Sequence, residues 1–162
     1  ELQNTLQNVQ KASLKHKRKL ADKAVTTAAV SDVAAGVTPI PFADSMVLIP
    51  IQITMMASIT AIYGIEVDKA LLATFVSSVL GTGGATIAGK TIVSNLLKLV
   101  PGLGSVAGGL ISGGTAGALT TALGKAYIKL IEMVYKGEFK SSDLNTELGK
   151  EKMKEILKAE KV

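Results

Sequence analysis

The chain has 162 residues, enough for one domain with a substantial core, and 48% of them are hydrophobic whereas only 19% are charged. It contains no cysteine, which excludes disulfide bonds, thiolate metal sites and a cysteine nucleophile. The net charge of +5 is unevenly placed: residues 1–24 carry six basic and two acidic side chains, whereas residues 25–131 carry nine charges in total. A basic N-terminal segment therefore precedes a long apolar region.

The first segment is predicted to be a long amphipathic helix. Leu2, Leu6 and Val9 recur at helical spacing with polar residues between them. No Gly or Pro interrupts the chain from there to Ala35, so the helix is expected to continue to that point. Gly36 and the two prolines that follow soon after it predict its end.

A second helix is predicted from Asp44 or Ser45, either of which can accept hydrogen bonds from the free N–H groups of the first turn. It runs to Tyr63, because Gly64 is suited to the left-handed conformation that ends many helices. Pro50 lies in its second turn and predicts a kink or a late start.

Three further helical segments are expected. Asp68 is the predicted N-cap of a third helix that runs to the glycine-rich residues 81–84, after which the helical pattern resumes over residues 87–99. A fourth long segment is predicted from Ser105 to Tyr135, and a charged helix over residues 150–160 follows a charged linker.

These elements predict an all-α fold: a helical bundle built from two helical hairpins. Strict period-2 alternation is missing, so strands are not expected. Residues 1–24 are interpreted as an amphipathic basic helix or as a linker from an upstream domain, residues 25–137 as the apolar hairpin domain, and residues 138–162 as a charged C-terminal helix. The hairpin turns are assigned to Pro39, Pro41, Phe42, Asp44, Pro101 and Gly102.

Several glycines follow a spacing that brings helices close together. Small residues four apart let two helix backbones approach, both in membranes and in soluble bundles, and the sequence leaves these alternatives open. Charge-free residues 45–65, 70–89 and 99–124 are each long enough to span a bilayer, but a buried helix has the same composition. The predicted packing glycines are Gly81, Gly89, Gly109, Gly113 and Gly117.

Residues 84–91 (GATIAGKT) match the phosphate-binding pattern G-x-x-x-x-G-K-[ST]. A functional loop of this kind follows a buried β-strand, so that its backbone N–H groups surround the phosphates. The residues before this segment have a helical pattern instead, which favours a small-residue helix face over a nucleotide site. A nucleotide-binding enzyme stays an alternative that Lys90→Ala would test.

The basic run Lys15, Lys17, Arg18 and Lys19 is the strongest charge feature. At one end of a helix it suits the anionic surface of a membrane, although a solvated helix face has the same appearance. Nucleic acid is disfavoured because no aromatic residues accompany the run. His16, the single histidine, lies among these cations, so neither a metal site nor a catalytic triad is predicted, and no cofactor is expected.

Several phrases resemble the YcjF-like family of helical domains. The most specific is Gly36-Val37-Thr38-Pro39-Ile40-Pro41-Phe42-Ala43-Asp44, and residues 61–64, 97–106 and 121–124 extend the similarity over about residues 20–135. The resemblance implies a membrane-linked domain C-terminal to an Era-like small GTPase domain, so that Glu1 lies in the linker between the two. It carries over no residue-level activity.

The predicted function is a non-catalytic accessory domain of a bacterial small GTP-binding protein, cytoplasmic and membrane-associated. It would act in membrane attachment or in regulating the GTPase domain, its expected partner. The alternatives are a soluble domain that docks on the GTPase domain or on a second copy, and a pore-forming helical hairpin.

Overall fold

The computed structural model describes residues 1–35, 40–41, 45–80, 110–111 and 113–159. Their helices confirm the predicted all-α fold. In chain order the elements are α1 (Leu2–Ala35), β1 (Ile40–Pro41), α2 (Ser45–Ile62), α3 (Lys69–Leu80), β2 (Leu110–Ile111), α4 (Gly113–Tyr135), a 3-10 helix (Ser141–Asp143) and α5 (Glu147–Ala159).

The helix α4 lies at the centre and contacts α1, α2 and α5, while α3 packs against α2 and α5. Each helix turns its apolar side inward because burying that side is what stabilises it. The core is made of aliphatic, alanine and methionine side chains with three aromatic rings. Its largest fully buried side chains are Tyr127, Met56, Ile59, Leu72, Leu123, Leu130, Ile131, Met153, Leu157 and Val76.

Both ends of the chain contribute to this one core. The helix α1 is continuous across residues 24 and 25, and its Ala21 and Val25 are buried. At the other end, α5 buries Met153 and Leu157 in the same cluster, with its charged residues toward solvent. The division of the chain at residues 24 and 137 stays a prediction.

The predicted helix ends are confirmed at two glycines. Gly64 and Gly137 have φ angles of +69° and +77°, the left-handed region that a glycine adopts without strain. After α2 the Ile65 N–H donates to the carbonyl of Thr60, and after α4 the Glu138 N–H donates to that of Met133. Both are the 6→1 bonds of a Schellman motif, which satisfies carbonyls that a helix end leaves free.

At the start of α3, Asp68 acts as predicted: its Oδ1 accepts a hydrogen bond of 2.9 Å from the Ala70 N–H. The helix α2 begins at Ser45 and is continuous through Pro50, so the late start that this proline predicted is wrong. Pro50 lies in the second turn and has no N–H to donate to the carbonyl of Met46, so the helix lacks one backbone bond there.

One predicted element is wrong. The helix expected from Ser105 to Tyr135 is interrupted, because Leu110 and Ile111 are extended and pair antiparallel with Pro41 and Ile40. Glycines lie on both sides of this dipeptide in the sequence, and glycine is a poor helix former. The helix therefore begins only at Gly113. Pro41, a predicted turn residue, lies in this strand pair; the other predicted turn residues, Pro39, Phe42, Asp44, Pro101 and Gly102, lie outside the described residues.

Candidate functional site

The N-terminal half of α1 extends past the core. Every side chain from Glu1 to Ala12 is exposed, and the first buried residue of the helix is Ala21. Three apolar side chains on this extension face solvent: Leu2, Leu6 and Val9 are 75%, 53% and 60% exposed. Single exposed apolar residues are ordinary, but three at helical spacing on one helix indicate a surface that contacts something.

The basic run of α1 divides between the two sides of the helix. Lys15 and Lys19 are exposed, whereas Lys17 and Arg18 bind partners inside the domain. A helix turns by about 100° per residue, so consecutive residues cannot all share one face. Only part of the run is therefore available to an external ligand.

Arg18 forms a paired contact with the carboxylate of Glu132 on α4. Its Nε donates to Glu132 Oε1 at 2.7 Å, and its Nη2 donates to Oε2 at 2.6 Å. Tyr63, at the end of α2, donates its hydroxyl to Glu132 Oε1 at 2.8 Å. Glu132 is only 5% exposed, so a buried charge is satisfied by donors from two other helices.

Lys17 extends the same contact region. Its Nζ donates to the carbonyl oxygen of Ile62 at 3.1 Å, at the end of α2, where a cation favours the negative end of the helix. The same ammonium group lies 5.7 Å from the centre of the Tyr135 ring. That ring packs edge-on against the ring of Tyr63, with 5.8 Å between the two ring centres. We call Lys17, Arg18, Tyr63, Glu132 and Tyr135 the anchoring cluster, because they join α1 to α2 and α4.

The electrostatics of the anchoring cluster keep Glu132 ionised. Burial raises its pKa, but the hydrogen bonds from Arg18 and Tyr63, with the charges of Arg18 and Lys136, outweigh burial and hold the pKa below its usual value. The hydrogen bond and the charge of Glu132 raise the pKa of Arg18. Burial, followed by the hydrogen bond to Glu132, raises the pKa of Tyr63. At neutral pH Arg18 is thus a cation, Glu132 an anion and Tyr63 a neutral phenol.

A stability loss in acid follows. A carboxyl whose pKa is lower in the folded state stabilises the fold above its unfolded pKa, here 4.5, and that contribution is lost as the pH falls through the folded value. We expect the free energy of unfolding, measured with denaturant, to decrease below about pH 4.5, and Glu132→Gln to flatten the decrease. The exposed Glu151→Gln is the matched control. An equal slope in wild type and Glu132→Gln would contradict the assignment.

The exposed side of α1 carries a row of cations that the consecutive run conceals. Lys11, Lys15, Lys19 and Lys23 are four residues apart, so they lie along one side of the helix. All four side chains are exposed, and none forms an ion pair with another described residue. Asp22 is the neighbouring acid. We call these four residues the lysine row.

Comparison with known proteins places the chain in a family. The profile of the family described as "Domain of unknown function (DUF697)" matches residues 1–160. The chain belongs to the DUF697 family.

One curated relative of this DUF697 chain is "Magnetosome membrane protein 22" of Magnetospirillum gryphiswaldense. The two sequences are 27% identical over 113 residues, which cover 70% of the DUF697 chain and 58% of the relative. The chain thus spans less than two thirds of that relative's length. No solved structure matches it.

Within the ranges that the structure describes, no helix of the DUF697 domain combines the length and the hydropathy needed to cross a bilayer. The charge-free residues 45–65, one of the stretches long enough to span a bilayer, contain α2. This helix buries Met55, Met56 and Ile59 in the core and exposes Thr54 and Ser58.

Buried polar groups of the DUF697 domain outside the anchoring cluster have structural partners. Gln52 Nε2 donates to Thr120 Oγ1 at 2.7 Å, and the hydroxyls of Thr60 and Tyr127 are 2.8 Å apart. Burial raises the pKa of Tyr127 to about 12, so this hydroxyl is neutral at physiological pH. These bonds join α2 to α4. In the described part of the chain no three His, Asp or Glu side chains form a group suited to a metal ion.

Two of the five predicted packing glycines lie in the described part of the DUF697 domain. Gly113 begins α4, and Gly117 is buried one turn later. Three of the predicted packing glycines (Gly81, Gly89 and Gly109) lie outside the described residues, as do residues 84–91 with their phosphate-loop pattern.

Proposed function

We propose that this chain is a non-catalytic accessory domain of a bacterial small GTP-binding protein, and that it attaches peripherally to the cytoplasmic surface of an anionic membrane. The observation that carries the membrane part is the exposed side of α1. Its first turns expose the apolar side chains of Leu2, Leu6 and Val9, and the lysine row follows along the same helix. The relative with "membrane protein" in its name supports the same environment.

The chemistry of this surface matches a lipid interface. Each lysine near an anionic leaflet contributes about 1 kcal/mol, and apolar side chains in the first turns of the helix enter the boundary between headgroups and acyl chains. Long lysine side chains can bend toward the headgroups from the flanks of the helix. A helix of this kind lies in the plane of the membrane surface. This agrees with the finding that none of the described helices is suited to span the bilayer.

Flotation with vesicles tests the membrane part. We expect the chain to bind vesicles that contain phosphatidylserine, to bind phosphatidylcholine vesicles weakly, and to dissociate as salt is raised. Changing Lys15, Lys19 and Lys23 to Gln removes three lysines worth about 1 kcal/mol each, which lowers affinity roughly 100-fold. The matched control changes the exposed Lys69, Lys140 and Lys158 to Gln and alters the net charge equally.

Two outcomes of the same experiment would contradict the proposal. Equal losses in the two triple variants would show that net charge, and not the side of α1, decides binding. No binding to either vesicle, with a concentration-dependent dimer in light scattering, would favour the soluble docking domain, for which Leu2, Leu6 and Val9 offer an apolar strip. Leakage of an enclosed dye would favour the pore-forming alternative.

The GTPase part of the proposal rests on the sequence resemblance. It is tested by reading the natural coding sequence upstream of Glu1. A G domain with a phosphate loop after a β-strand would support it, and an unrelated upstream domain would contradict it.

A further inference from the structure

A hollow lies where the extended part of α1 passes the end of α4. Its volume is about 460 Å³, within the range of small-ligand sites. One wall is the second to fourth turns of α1, and the other is the last residues of α4. The lining residues are Gln7, Gln10, Lys11, Leu14, Tyr135 and Lys136.

The chemistry of this hollow is that of an anion site. Its lining contains two ammonium groups and two amide groups, which donate hydrogen bonds, and no carboxylate. Leu14 and Tyr135 supply an apolar base. Lys11 lies on α1 and Lys136 directly follows α4, so their charges converge only because the fold brings these segments together.

The surroundings reinforce the positive potential. The anchoring cluster lies next to the hollow, and its Lys17 ammonium is 5.7 Å from the ring centre of Tyr135. The charge of Glu132 is paired with Arg18 at 2.6 Å, and Lys136 also acts on this carboxyl to lower its pKa. Two cations, Arg18 and Lys136, thus act on the one carboxylate of the anchoring cluster. The remaining acid nearby in sequence, Glu138, is exposed and does not line the hollow.

Two carbonyls at the end of α4 are hydrogen-bonded within the chain, which reduces the negative charge that this helix end presents to an anion. The carbonyl of Val134 accepts from the Gly137 N–H at 3.0 Å, and that of Met133 accepts from the Glu138 N–H at 2.8 Å. These bonds satisfy carbonyls whose partial negative charge would otherwise repel a ligand.

We propose that this hollow binds a phosphate monoester. A monoester carries about −1.5 to −2 charges at pH 7 and three acceptor oxygens, which suits two lysines and two amides better than a carboxylate or a phosphodiester with a single charge. The anchoring cluster holds α1 against α4 one turn from Lys136 and about two turns from Lys11, so the backbone segments that carry the two lysines are brought together before the ligand arrives. The monoester belongs either to a phosphorylated lipid headgroup or to a soluble phosphate. The lipid case rests on the proposed function, and the soluble case does not.

Vesicle binding tests the lipid source. Vesicles with phosphatidylinositol 4-phosphate are compared with phosphatidylserine vesicles of equal surface charge. We expect tighter binding to the monoester lipid, and we expect Lys11→Gln with Lys136→Gln to remove that preference, about a 10-fold loss. The matched control, Lys15→Gln with Lys19→Gln, makes the same charge change outside the hollow. It should weaken binding to both vesicles and keep the preference.

Titration with inositol 1,4,5-trisphosphate, followed by NMR without vesicles, tests the soluble source. Shifts of the Gln7 and Gln10 side-chain amides that disappear in the Lys11/Lys136 variant would support the site. If vesicles are not bound but these shifts occur, the membrane proposal fails and the hollow stands as a soluble phosphate site. The inference is overturned if there is no preference at equal charge and no amide shift, or if both double variants lose the preference equally.

Discussion

Replacing Arg18 with Gln is expected to lower the free energy of unfolding at pH 7 by about 3 kcal/mol, because it leaves the buried Glu132 carboxylate without its cation. Tyr63 still donates one hydrogen bond, but a phenol does not neutralise the charge. Urea unfolding followed by circular dichroism measures the change. Part of the loss should be recovered near pH 4, where the unpaired carboxyl takes up a proton.

The two ends of this ion pair should not be equivalent. The side chain of Arg18 is 54% exposed and can turn toward water, whereas the side chain of Glu132 is 7% exposed and cannot. Glu132→Gln is therefore expected to cost less, about 1 kcal/mol, since the amide oxygen can still accept from Tyr63. The control is the neighbouring exposed Lys19→Gln, with a change near zero. An Arg18→Gln effect no larger than that of Lys19→Gln would contradict the anchoring role.

Introducing a large side chain at Gly124 is the second change with a large expected effect. A Cβ at Gly124 would lie 2.5 Å from Val25 Cγ2 and 3.0 Å from Met55 Sδ, so α1 and α2 both pack closely against α4 here. Gly124→Leu is expected to lower the free energy of unfolding by about 3 kcal/mol, the upper part of the range for overpacked cores. Thermal and urea unfolding measure it.

A second pair of variants separates packing from other effects of the substitution. Gly124→Ala should cost about 1 kcal/mol, since overpacking by one methyl is partly offset by the better helix propensity of Ala. Combining it with Val25→Ala removes the methyls that the new Cβ would meet, so the double variant should be more stable than the sum of the single changes predicts. Additive costs would show that the close approach is not the cause.

The ends of the helices could be predicted from the sequence because they depend on local chemistry. Gly64 and Asp68 act within four residues of their own positions, through backbone bonds that any helix end requires. The interruption at Leu110 and Ile111 could not be predicted in this way, since it depends on pairing with Pro41 and Ile40, about 70 positions earlier in the chain. Periodicity alone does not distinguish a short extended pair from a helical turn.

The candidate site was only partly predictable for the same reason. The basic run was evident, but which of its members face outward depends on the side of α1 that packs against α4. Arg18 and its partner Glu132 are 114 residues apart, and no local pattern joins them. The spacing of Lys11, Lys15, Lys19 and Lys23 was the available signal for the exposed side.

The spacing of the glycines also predicted helix packing only in part. The four-residue pattern drew attention to Gly113 and Gly117, whereas the close contact with α1 and α2 occurs at Gly124. Gly124 follows a helical stretch and precedes Lys125, so by sequence it resembles a helix end. Only the position of Val25 on a neighbouring helix shows that a side chain would not fit there.

Site-specific fluorescence tests the central claim, that the exposed side of α1 meets the membrane. The chain has no cysteine, so one introduced cysteine labels one position. An environment-sensitive dye at Leu6→Cys, on the exposed side of α1, is compared with the same dye at Glu151→Cys, exposed on α5. With phosphatidylserine vesicles we expect a blue shift and higher intensity at position 6 and no change at position 151. A chain that floats with the vesicles but shows no change at position 6, or changes only at position 151, would contradict the claim.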